Sequence, residues 1–174
     1  FTQLVERISD RINIPFTVGG GICSIDDAAR LLDAGADKIS INSAAIANPA
    51  LIDAIASRYG SQFVVVAIDA RCGEDGVWRA TTHGGSRPTD KELFAWAREA
   101  EERGAGEILF TSMNHDGTRQ GYPCDTFARL ARHLRIPIIA SGGAGSIDDI
   151  ADVLTLGGAD AALAASIFHY GEIP

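Results

Sequence analysis

The chain has 174 residues, 46% hydrophobic and 22% charged, with a formal net charge of −8 and a pI near 4.9. These values describe a soluble globular protein large enough to bury a core. They exclude a nucleic-acid surface, which depends on clustered Lys and Arg, so an anionic ligand has to be held locally by backbone N–H groups or a few cations.

The chain opens on a helical pattern, "FTQLVERISDRI", and its first residue, Phe1, is not Met. Short apolar runs then alternate with amphipathic stretches, which predicts βα units around a parallel sheet. Strands are expected at 16–19, 38–41, 63–68, 108–112, 138–141 and 161–165, all parallel. Helices are expected near 24–33, 48–59, 90–103, 124–134 and 146–156. The segment from Cys72 to Pro88 breaks this rhythm and reads as an excursion or hairpin around "VWRATT". Long loops after a strand's C-terminal end usually serve a site.

Two stretches repeat: "VGGGICSIDDAARLLDAGAD" at 18–37 and "SGGAGSIDDIADVLTLGGAD" at 141–160. The copies belong to an internal repeat spanning about 14–46 and 136–169. Alternating βα units fit either an open doubly wound sheet or a closed ring. A duplicated strand-Gly-Gly-helix unit favours the ring, because a doubly wound sheet carries one glycine-rich phosphate turn. The expected fold is therefore a (βα)8 TIM barrel, one α/β domain over 1–174. Barrel phosphate sites are usually built after strands 7 and 8, so the strands present take numbers 3 to 8. Strands 1 and 2 are then missing, and the chain is expected to be truncated at its N-terminus.

Gly20, Gly21, Gly142 and Gly143 lack Cβ atoms, so their N–H groups can approach an anion, and each pair precedes a helix N-terminus. The following strand of each copy ends in small residues, Asn42 and Ser43 in one, Ala165 and Ser166 in the other. The alternative is that the glycines serve tight turns, while Ser24-x-x-Asp27 and Ser146-x-x-Asp149 are capping boxes facing away from any phosphate. Asp69 ends the run "FVVVAI", where burial would raise its pKa toward proton transfer; it reads equally as a cap or a partner for Arg71. Thr111 and Asp116 are either substrate contacts or turn residues. Strand parity sends Lys38 and Glu107 toward one face, where an ion pair is the economical arrangement, against the alternative that both snorkel outward. Cys23, Cys72 and Cys124 lie too far apart for a disulfide framework, and His83, His115, His133 and His169 lack ligand spacing, so no metal is expected. Trp78 and Trp96 read as packing residues. No apolar run reaches membrane-spanning length and no signal peptide is visible, so a cytoplasmic protein is expected.

Taken together, "FTVGGGI", "ADKISINSAAI", "VVVAIDA", "GAGEILFTSMNHDGT", "IPIIASGGAG" and "DAALAASIFH" resemble the cyclase subunit family of imidazole glycerol phosphate synthase, over nearly the entire chain. The resemblance implies a histidine-biosynthesis enzyme without a cofactor. It uses ammonia from a glutaminase partner to convert a bis-phosphorylated formimino aminoimidazole carboxamide ribonucleotide into imidazole glycerol phosphate and aminoimidazole carboxamide ribonucleotide. By the same resemblance, Asp69 is a catalytic acid or base, with a partner aspartate on a first strand absent here, and the isolated chain is expected to show little cyclase activity. Gly21, Asn42 and Ser43 match one phosphate site, and Gly143, Ala144 and Ser166 the other. Thr111 and Asp116 line the substrate, Lys38 and Glu107 belong to a charged ammonia gate, and Asp37 lies on the glutaminase-docking face. Asn114 and Pro123 depart from the aspartates common at their positions. The rivals are the sister isomerase of the same pathway and a non-catalytic partial-barrel assembly module.

Overall fold

The computed structural model describes residues 1–172. Two compact units divide the chain: Phe1–Ala67 with Ala100–Glu107, and Ile68–Glu99 with the chain from Ile108 onward.

In the first unit, helix α1 (Thr2–Ser9) leads to β1 (Thr17–Gly19), α2 (Ile25–Asp33), β2 (Lys38–Ile41), the short α3 (Ser43–Ala47), α4 (Ala50–Tyr59) and the first half of β3 (Val64–Cys72). β1, β2 and β3 run parallel, with Gly19 beside Ser40 and Ser40 beside Val65. Burial alternates along β2: Ile39 and Ile41 are buried, Lys38 and Ser40 half-exposed. The buried residues Val18, Ile39, Ile41, Val64 and Val66 form the core with Ala28 and Leu31 of α2 and Leu51, Ile52 and Ile55 of α4. Apolar residues spaced three or four apart give each helix one inward face. In a sheet covered on both faces the strands would be buried throughout; a half-exposed second face is the pattern of helices on one side only.

In the second unit the rest of β3 pairs antiparallel with β4 (Trp78–Thr82), and β4 with β5 (Arg87–Glu92). Helix α5 (Leu93–Glu102) and β6 (Glu107–Ser112) each begin or end in the other unit. α6 (Cys124–His133), β7 (Ile138–Ser141), α7 (Ile147–Thr155), β8 (Ala161–Leu163) and α8 (Ser166–His169) follow. β6, β7 and β8 are parallel, with Thr111 beside Ser141 and Ser141 beside Leu163. Phe110 is the centre of the core, packed edge-on against Trp78 at 5.5 Å and tilted against Phe127 at 4.9 Å. Trp78 and Trp96 are both buried, as packing residues should be.

The hydrogen-bonded order is β1-β2-β3-β6-β7-β8, with β4 on β3 and β5 on β4. The α/β architecture with parallel βα units is as expected, and the count of six all-parallel strands is corrected. The excursion adds two antiparallel strands and extends β3 four residues beyond Ile68, because Asp69–Cys72 find partners in Trp78–Thr81. The strand order gives no support to the expectation that strands 1 and 2 are missing.

Candidate active site

The first glycine turn lies in the first unit. Gly20 (φ 100°) and Gly21 (φ 73°) adopt left-handed backbone, and a Cβ at either would meet nothing within 4 Å. Open space therefore lies over both residues. The register of Gly19 with Ser40 brings Asn42 and Ser43 to the same C-terminal end of the neighbouring strand. The capping reading of the Ser-x-x-Asp motif is correct here. Ser24 Oγ accepts from the Asp27 N–H at 3.1 Å, and Asp27 Oδ2 accepts from the Cys23 N–H at 3.0 Å and the Ser24 hydroxyl at 2.8 Å. The Cys23 N–H, with Ser24 and Arg30, holds the Asp27 carboxyl below its ordinary value. Asp27 thus occupies donors at the helix start, while the Gly21 N–H, beyond the end of β1, has no protein acceptor among the described residues.

The second turn lies in the second unit and is built differently. Gly142 (φ 87°) and Gly143 (φ 127°) pack against protein: a Cβ on Gly142 would come within 2.6 Å of the Ser112 carbonyl, and one on Gly143 would collide with the Gly121 carbonyl. The Gly121 N–H donates to Gly143 O at 2.9 Å, and the Tyr122 hydroxyl donates to Leu163 O at 2.9 Å, so the loop after β6 clasps this turn. Burial, with Asp149 nearby, pushes the Tyr122 phenol up to about 12. Ser146 and Asp149 form a complete capping box, in which Asp149 also accepts from the Gly145 N–H at 3.0 Å. Among the described residues, the N–H groups of Gly143 and Ala144 have no protein acceptor. Strand register brings Thr111, Gly142 and the Ala165–Ser166 corner that opens α8 to the C-terminal ends of adjacent strands.

Asp69 belongs to this unit. It stands within β3 rather than at its end, half-buried, in register with Thr81. The buried Thr81 hydroxyl donates to the Asp69 carbonyl at 3.0 Å and fixes the backbone there. Thr111 is half-buried, and Asp116 is exposed in a turn closed by its N–H to Ser112 O at 2.8 Å. Ser112 Oγ lies 2.7 Å from His115 Nδ1, a contact that spacing alone did not reveal.

At the opposite, strand-start end of the first unit, Lys38 Nζ donates to Glu107 Oε1; the side chains are 28% and 18% exposed. The expected pair forms, and the outward-snorkelling alternative is corrected. Asp37 accepts from the Phe16 N–H at 2.8 Å, and in the other copy Asp160 accepts from the Ile138 N–H at 2.8 Å. The closing aspartate of each repeat therefore caps the start of its own first strand, a role the doubled Gly-Ala-Asp could have signalled. Among the described residues no cluster of His, Cys, Asp and Glu could hold a metal, and no helix is long and apolar enough to cross a membrane.

Comparison with known proteins shows the family to which the sequence is similar. The chain matches the family described as "Histidine biosynthesis protein" over residues 1–174. It is 62% identical over 173 residues to the imidazole glycerol phosphate synthase subunit HisF of Bacteroides thetaiotaomicron, covering 99% of this chain and 68% of that protein. The HisF subunit of Bacteroides fragilis is 61% identical, with 99% and 69% covered, and that of Flavobacterium psychrophilum 57% identical, with 98% and 68% covered. By this similarity the chain belongs to the histidine biosynthesis protein family, among the cyclase subunits of imidazole glycerol phosphate synthase.

Proposed function

We propose, against the expectation of little activity from the isolated chain, that it performs the cyclase reaction on a bis-phosphorylated formimino aminoimidazole carboxamide ribonucleotide. Ammonia is incorporated, and imidazole glycerol phosphate and aminoimidazole carboxamide ribonucleotide leave. The observation that carries this reading is the doubled glycine turn, each copy at a strand's C-terminal end with N–H groups lacking protein acceptors. Gly20, Gly21, Asn42 and Ser43 bind one phosphate; Gly142, Gly143, Ala144, Ala165 and Ser166 bind the other. Backbone donors and helix N-termini suit an acidic protein that spends few cations on its ligand. The two capping aspartates bond within their own helix starts, which reduces repulsion of an incoming phosphate.

Asp69 acts as the general acid or base in imine formation and ring closure, and Thr111 and Asp116 line the substrate. Lys38 and Glu107 gate ammonia arriving from a glutaminase subunit, and Asp37 lies on the docking face. The relatives' designation as subunits supports such a partner. The two repeat copies, 14–46 and 136–169, each carry their chemistry at a strand's C-terminal end, as the strands of barrel-type domains do. Three free cysteines fit a reducing cytoplasm. The sister isomerase is disfavoured because relatives at 56–62% identity bear the name of the synthase subunit. The test is ammonia-dependent turnover: Asp69→Asn should lower kcat by about 100-fold or more while leaving KM nearly unchanged. Turnover retained in that variant would refute the assignment.

A further inference from the structure

We propose that Asn114 is a positioning residue, whose side-chain amide locks the strand carrying Asp69 to the turn carrying Asp116. This rests on the reading of Asp69 as the proton-transfer group.

β6 ends at Ser112, where the chain turns back on itself: the His115 and Asp116 N–H groups both donate to Ser112 O, at 3.1 and 2.8 Å. β3 continues to Cys72, so its final residues would outrun their neighbour on that edge. One backbone bond bridges the gap, from the Met113 N–H to Ala70 O at 2.9 Å. Beyond it the ladder is continued by a side chain. The Cys72 N–H donates to Asn114 Oδ1 at 2.8 Å, and Asn114 Nδ2 donates to Cys72 O at 3.3 Å. A primary amide carries a donor and an acceptor side by side, as a strand neighbour does, and so serves both backbone groups of one residue.

On the other edge, Thr81 holds the Asp69 carbonyl and Trp78 stands opposite Cys72. The Asp69–Cys72 segment is thus fastened on both sides. Asn114 is exposed, so its contact rests on hydrogen bonding rather than burial. It lies two residues before Asp116, and loosening it frees the segment after Asp69 relative to the substrate-lining turn. Displacement of a reacting group by a fraction of an ångström is enough to slow chemistry without abolishing binding.

The test compares Asn114→Ala, which loses both bonds, with Asn114→Asp, which keeps the acceptor for the shorter one. Ammonia-dependent kinetics on the bis-phosphorylated substrate are measured beside amide exchange at Cys72. In Asn114→Ala, kcat should fall about tenfold with KM within about twofold, and Cys72 exchange should accelerate at least about tenfold. Asn114→Asp should recover most of both. Should the alanine variant fold poorly, Asn114→Ser removes the paired amide with a polar side chain and carries the same expectation. Unchanged kcat with accelerated Cys72 exchange would overturn the proposal, as would equal loss of kcat in both variants while Asp protects Cys72. Retained turnover in Asp69→Asn would instead remove the catalytic reading beneath it, with Cys72 exchange still reporting the lock itself.

Discussion

Lys38, the first residue of β2, is paired with Glu107, the first residue of β6, across 69 positions of sequence. Both side chains are largely withdrawn from water, so removing one leaves the other charge poorly solvated. Lys38→Met should destabilise the protein by about 1–3 kcal/mol in a denaturant titration. In the assembled enzyme, glutamine-coupled turnover should fall more than turnover with free ammonia. Equal loss of both would remove the gate role and leave a structural ion pair.

The two glycine turns should respond in opposite ways to alanine. Gly143→Ala drives a Cβ into the Gly121 carbonyl at a φ of 127°, and should cost about 2–4 kcal/mol. Gly20→Ala meets open space and suffers only backbone strain, about 1 kcal/mol. Its larger effect should appear as weaker inorganic phosphate binding, read by calorimetry. A Gly20→Ala protein with normal phosphate affinity would contradict the anion role of that turn.

Tyr122 should titrate late. Its phenol is raised from 10.0 to about 12 by burial and by Asp149, so the folded state favours the neutral form. Stability from this group is fully present below pH 10 and is lost as pH rises toward 12. Ultraviolet titration should find a tyrosine ionising near 12. Tyr122→Phe should remove that transition and cost about 1 kcal/mol through loss of the bond to Leu163 O.

The excursion carries an opposite pH signature. Asp75 is held down at about 2 by the Arg79 guanidinium and the Val77 N–H. A depressed carboxyl contributes stability above its unfolded value of 3.8 that is lost as pH falls toward 2. Carbon-detected titration of Asp75 should give a midpoint near 2, and Arg79→Gln should move it toward 3.8.

Much of this was legible where local rules and tertiary structure agree. The Ser-x-x-Asp caps were readable because the same chemistry is written twice, and both form. Strand parity placed Lys38 and Glu107 on one face, since β2 and β6 alternate cleanly, but left an outward reading open that only the structure closed. What escaped had no apolar period to announce it. β5, "RPTDKE", has no buried residue and is held by pairing with β4, so α5 starts at Leu93 rather than at Asp90. α3 and α8, with five and four residues, are too short to show a helical repeat. The closeness of Asn114 to Cys72 depends on where β6 stops, which residue pattern did not reveal.

The reading as a whole turns on an anion cradle in each of the two units, and the most direct measurement is a nuclear magnetic resonance titration with the bis-phosphorylated ribonucleotide. The amide signals of Gly20 and Gly21 and those of Gly143 and Ala144 should move together along a single binding curve. Movement of only one set at saturation, or of neither, would contradict it.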